Sequence, residues 1–174
     1  MFFGIGNKWK NWKPSEEYLL KVKDLTTIAK LHSFMQEFKY KWDTITILFW
    51  KYLWDYWQMP DESVRKMEGD CEDSAILTID ILGRIQKRND ARFIMSFGYF
   101  LNEKDKRKLM GHCVTAFNNG KGKYNIFSNN ELEYSYKDFL EIGHRFYPLG
   151  LKYQEIRDWQ GKTLSRKFKL FGIF

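Results

Sequence analysis

The segment Glu68-Gly69-Asp70-Cys71-Glu72-Asp73-Ser74-Ala75 places a cysteine where a helix should begin. From 73 to 88 the apolar residues Ala75, Ile76, Ile79, Leu82 and Ile85 recur on one helical face. Lys87 and Arg88 suit that helix's C-terminus. A thiol at the mouth of a helix meets the unpaired N–H groups of the first turn and the positive end of the dipole. Both favour the thiolate, which is the nucleophilic form. The same N–H groups suit the oxyanion that develops during acyl transfer.

A nucleophilic thiol needs a base, and His112 in Gly111-His112-Cys113-Val114 is the candidate, about 40 residues downstream. It lies in a β-branched and aromatic run that reads as a strand. Strand alternation puts His112 and Cys113 on opposite faces. If His112 faces the cleft, Cys113 faces away and is buried filler. The third member should stand on the next strand, KYNIFSNN, and hold the imidazole through its other ring nitrogen. Ser128 and Asn129 are the candidates there.

The order and local sequence of these residues resemble the transglutaminase-like branch of the papain-like cysteine hydrolases, especially the bacterial transglutaminase-like cysteine proteinases. The family pattern is Trp-x-x-Pro-x-Glu, then Gly-Asp-Cys-Glu-Asp-x-Ala, then Gly-His-x-Val, then a strand ending in Asp. This chain has Trp57-Gln58-Met59-Pro60-Asp61-Glu62, an intact Gly69 to Ala75, and Gly111-His112-Cys113-Val114. The resemblance spans roughly 40–130, with basic segments 1–13 and 152–174 flanking it, and implies one domain over 1–174. It further implies an α+β fold: a papain-like core with N-terminal helices, the Cys at a helix N-terminus, and an antiparallel sheet carrying the His. It implies Cys71 as nucleophile, His112 as base, and an orienting Asp or Asn. Where the family strand ends Leu-Asp-Asn, this chain has Phe127-Ser128-Asn129. Ser128 is the positional match but carries no charge. Asn129 offers the amide acceptor used in papain-like enzymes, and of the two it is the first choice. An upstream aromatic is also implied near the oxyanion.

The rest of the chain must position these groups. Pro14-Ser15-Glu16-Glu17 reads as a helix start, and the apolar spacing over 15–38 gives one or two helices. Residues 45–57 are dense in aromatics and read as a buried helix, broken at Met59-Pro60-Asp61. Strands are expected at 91–101, 110–117 and 123–127, and a short helix at 136–142. Residues 149–159 and 167–174 read as strand or loop. Helices first and strands after indicate α+β rather than βαβ alternation.

Composition bounds the function. The 174 residues are 44% hydrophobic and 18% aromatic, so the chain can bury a core and is not disordered. Its net charge of +7 is uneven: residues 1–13 carry +3, 152–174 carry +4, and the body is neutral. A neutral body argues against nucleic acid as the main partner. Within it, 61–80 hold seven acids and two bases, which read as caps and solubility. Two cysteines are too few for a disulfide scaffold. With no signal-like or membrane-spanning stretch, a cytoplasmic location is expected. Cys71, Cys113 and His112 have the residue types of a zinc site, but no Cys-x-x-Cys or His-x-x-x-His spacing exists. No metal or cofactor is expected.

The expected function is therefore thiol-dependent acyl transfer on a protein or peptide amide, as a cysteine peptidase or amidase or as a transamidase. The alternative is a transglutaminase-like fold impaired in catalysis, acting as an interaction or assembly module. Its basic ends would then dock an acidic partner or nucleic acid. The oligomeric state is not legible.

Overall fold

A computed structural model describes residues 5–42, 44–47, 50–53, 56–101, 104 and 106–168; the side chains of 5–7, 44–47, 50–53 and 168 are left aside. The helices are α1 (Ile5–Asn11), α2 (Glu16–Val22), α3 (Ile28–Gln36), α4 (Pro60–Lys66), α5 (Cys71–Arg84) and α6 (Phe139–Phe146). The strands are β1 (Lys39–Tyr40), β2 (Thr44–Ile47), β3 (Trp50–Leu53), β4 (Glu68–Gly69), β5 (Arg92–Leu101), β6 (Arg107–Asn118), β7 (Tyr124–Ser128), β8 (Glu131–Tyr136), β9 (Leu151–Arg157) and β10 (Thr163–Phe168).

The fold is α+β. Among the described residues, six strands form an antiparallel sheet in the order β10-β9-β5-β6-β7-β8. Helix α5 lies across β5, β6 and β7, and α6 packs on β5, β8 and β9. Alternate residues divide the sheet between these layers. Phe93, Met95, Cys113, Phe117 and Phe127 join α5 in the larger core. Ile94, Val114, Ala116 and Ile126 meet Ile142 of α6 in the smaller one. Every residue from Cys71 to Gly83 is buried, so α5 is an interior helix enclosed by α3, α4 and the sheet.

Residues 15–38 form two helices. Ser15 caps α2 by accepting from Tyr18 N, and Thr27 caps α3 by accepting from Lys30 N. The helix expected at 45–57 is corrected: Thr44–Ile47 and Trp50–Leu53 pair as antiparallel strands. The run Thr-Ile-Thr-Ile is β-branched throughout, which stiffens χ1 and favours extended backbone over helix. The other residues of that stretch up to 55 lie outside the described residues. Pro60 is a helix start rather than a break, as the first residue of α4. The short helix expected at 136–142 is displaced to Phe139–Phe146, because Asp138 caps it by accepting from Glu141 N. Residues 149–159 contain a strand, β9, which runs inside the sheet between β5 and β10.

The acids of 61–80 hold this frame together. Asp61 accepts from Trp12 Nε1 and from Ser15 N. Glu62 pairs with Lys66 at 2.8 Å, and Glu68 pairs with Lys41. Buried Asp80 accepts from Tyr18 OH at 2.6 Å and from Arg84. No helix among the described residues is long and apolar enough to cross a membrane.

Candidate active site

The place of Cys71 is set by a glycine and two aspartates. Asp70 is the N-cap of α5, and Asp70 and Asp73 form a capping box. The Asp73 carboxylate accepts from Asp70 N at 3.3 Å and from Gln58 N at 2.6 Å. It occupies the space where a side chain at 69 would be: a Cβ on Gly69 would lie 2.5 Å from Asp73 Oδ2. Gly-Asp-Cys-x-Asp is thus one packed unit that delivers Cys71 as the first residue of α5.

Two side-chain bonds tie α5 to the strands that carry the other candidates. Thr115 Oγ1 on β6 donates to Ala75 O at 2.7 Å. Ser74 Oγ donates to Asn129 O, also at 2.7 Å. Such bonds fix the register of α5 against β6 and the end of β7.

His112 Nε2 and Ser128 Oγ are 2.9 Å apart, and the ring packs on Phe146 of α6 with centroids 4.6 Å apart. That leaves Nδ1 as the ring nitrogen for the thiol. Asn129 is elsewhere. It sits just past β7 with a left-handed φ of 55°, its carbonyl engaged by Ser74. Its Oδ1 is buried and accepts no hydrogen bond among the described residues. Ser128 is thus the side chain brought to the imidazole, and Asn129 shapes the turn.

Cys113 does not face away from the cleft, and that expectation is corrected. Its strand face points to α5, as alternation requires, and Cys71 at the start of α5 packs in the same core. The cleft therefore receives His112 from one face and Cys113 from the other. Cys71, His112 and Cys113 all border it, with Trp42, Trp57, Asp70, Glu72, Met95, Phe97, Met110 and Gly111, around a volume of about 170 Å³. Gly111 makes room for the Phe97 ring, into which a Cβ there would run. Larger hollows of about 500 and 620 Å³ lie away from the thiol, one between α6 and β9–β10 and one lined by Trp9, Trp12 and Trp159.

The hydrogen bond from the Cys113 thiol is the largest influence holding Cys71 well below the usual thiol range. Burial opposes it, and the neighbouring His112 adds to it through hydrogen bonding and charge. Cys113 goes the other way: burial, then the adjacent Cys71, push it well up. Tyr40 also stands near enough for burial and the charge of Cys71 to push its hydroxyl up. As a thiol, Cys71 Sγ donates to Glu72 Oε2 at 3.1 Å. Cys71 Sγ, a Glu72 carboxylate oxygen and Cys113 Sγ lie within 4.8 Å of one another, and among the described residues this is the group of three whose donors could share one ion. It includes Glu72 in place of His112.

Cys113 was read from sequence as buried filler, and Tyr40 was not singled out. The one available signal was that both cysteines of the chain fall inside the two motifs.

No family model and no curated protein matches this chain. It is similar to LapG of Legionella pneumophila. The calcium-bound form of LapG shares 23% identity over 74% of this chain at a TM-score of 0.39, and this chain spans 61% of that chain's length. The EGTA-treated form shares 16% identity over 86% of this chain and 78% of its own, at a TM-score of 0.43. The overlap is partial in each case.

Proposed function

We propose that this protein is a thiol-dependent acyl-transfer enzyme that cleaves amide bonds, with residues 1–174 working as one transglutaminase-like domain. The carrying observation is a buried Cys71 at the N-terminus of α5 that borders one cleft with His112, whose Nε2 lies 2.9 Å from Ser128 Oγ. Cys71 Sγ attacks the amide carbonyl carbon, and its proton passes to His112. The oxyanion meets the N–H of Cys71, a first-turn donor with no intrahelical partner. His112 then gives its proton to the leaving amine as the C–N bond breaks. Water attacks the thioester, His112 takes the water's proton, and the carboxylic acid leaves as Cys71 is regenerated. Ser128 holds the ring's orientation. Hydrolysis is the default reaction, because the cleft opens to solvent and water is always present. Amine transfer is the variant in which a second amine replaces that water.

The test is amine release from a pool of fluorogenic peptide amides, comparing the wild type with Cys71→Ala and His112→Ala. Release by the wild type that both variants lose supports the reading. Equal release by all three sinks it.

One observation favours a second reading. The partner of His112 Nε2 is an uncharged hydroxyl, which cannot stabilise imidazolium as a carboxylate does. An impaired fold serving as an interaction module would release no amine. It would lose its biological activity on trimming of 1–13 or 162–174, but not in Cys71→Ala.

A further inference from the structure

We propose that Cys71 and Cys113 are a peroxide-reactive pair that closes into a reversible intramolecular disulfide. The two sulfurs lie within 4.8 Å of each other, and both residues border the same cavity of about 170 Å³. That cavity admits a molecule as small as hydrogen peroxide to both. A disulfide needs the sulfurs about 2.05 Å apart, so they must close by less than about 3 Å. Cys71 is the first residue of its helix, where the backbone is least constrained by the ladder. Cys113 is fixed in mid-strand opposite Met95. The movement therefore falls to Cys71.

The chemistry divides between the two sulfurs. The Cys71 thiolate attacks one peroxide oxygen and the O–O bond breaks. Cys71 becomes a sulfenic acid, and the departing hydroxide takes a proton to become water. Cys113 then attacks the Cys71 sulfur, the S–O bond breaks, and hydroxide leaves with the Cys113 proton as a second water. Two thiols and one peroxide give one disulfide and two waters. The order is built into the site. Cys113 is pushed up first by burial and then by its charged neighbour. A sulfenic acid at Cys71 places an electrophilic sulfur within reach of Cys113, which borders the same cavity. The disulfide blocks the nucleophile while sparing it the irreversible higher oxidation states. None of this requires Cys71 to cleave an amide.

The experiment treats the wild-type protein with hydrogen peroxide and reads intact mass and a non-reducing tryptic map. The expected result is loss of two hydrogen masses. One cross-linked species should join the peptides covering 67–84 and 109–121, and dithiothreitol should reverse both changes. Iodoacetamide labelling of Cys71 should be lost in step and return on reduction. Cys113→Ser and Cys113→Ala, two variants so that a folding defect in one is recognised, should instead gain oxygens on Cys71 that dithiothreitol does not remove. Oxygen gain without a cross-link in the wild type, a cross-link between molecules, or two unreacted thiols would each overturn the proposal.

Discussion

His112 Nε2 lies 2.9 Å from Ser128 Oγ, while the neighbouring Asn129 turns its carbonyl to Ser74. This separates two residues that adjoin in sequence into an imidazole partner and a turn residue. Ser128→Ala should slow alkylation of Cys71 roughly fivefold, the worth of about 1 kcal/mol for one hydrogen bond. Ser128→Asp should move the pH midpoint of alkylation down, because a carboxylate stabilises imidazolium and so the thiolate beside it. Asn129→Gly, which suits the left-handed φ, should change neither. Iodoacetamide rates read by mass spectrometry at Cys71 check all three.

The Cys71 thiolate is held mainly by its hydrogen bond from Cys113, with burial opposing and His112 assisting. Labelling of Cys71 should therefore stay near its maximum well below the usual thiol range and fall only as the solution turns acid. Cys113→Ala removes the largest stabilising contact of the thiolate, so the midpoint should rise. A wild-type midpoint near the ordinary thiol value of about 8.5 would overturn this expectation.

Gly69 and Gly111 are required by neighbouring side chains. Gly69→Ala drives a methyl against the Asp73 carboxylate, and Gly111→Ala drives one into the Phe97 ring. Each should cost about 1–3 kcal/mol, as overpacking does, and lower the urea midpoint without changing its slope. Gly69→Ala should also slow Cys71 labelling, since Asp73 is the brace of the helix start.

Glu155 is buried in β9 and meets Arg157 at 2.8 Å and Arg166 at 3.3 Å. Burial pushes its carboxyl up, but Tyr153, Arg157 and Thr163 outweigh it and hold the group below the usual range. Glu155→Leu leaves buried Arg157 without that partner and should cost about 3 kcal/mol at neutral pH. A lowered carboxylate gives stability that is present above its unfolded value and lost as the pH falls through the folded one. The gap between wild type and variant in urea melts should therefore narrow in acid.

How much of this was legible depended on local signals. The Gly-Asp-Cys helix start and the β5–β6–β7 strands could be read because caps, helical period and β-branched runs all agreed. Residues 44–53 were misread because aromatic density overrode the β-branched signal of Thr44 to Ile47. Strand β9 stayed open between strand and loop because its buried positions include Gln154, Glu155 and Arg157, which hydropathy treats as surface. Cys113 was set aside because alternation presumed a cleft on one face of the sheet. Cys113 lies on the α5 side with Cys71, and the cleft is bordered by both cysteines and by His112. Ser128 against Asn129 could be decided only by the backbone turn at φ 55°.

Strand β5 pairs with β6, its neighbour in sequence, and with β9, which begins fifty residues after β5 ends. During synthesis the helix bearing the thiol and the hairpin bearing the imidazole leave the ribosome first. Until residues 151–157 follow, β5 shows a bare row of amide and carbonyl groups to any other unfinished strand. The central sheet is thus completed only after the thiol and the imidazole are made, and in that interval this chain most needs shelter from its own copies.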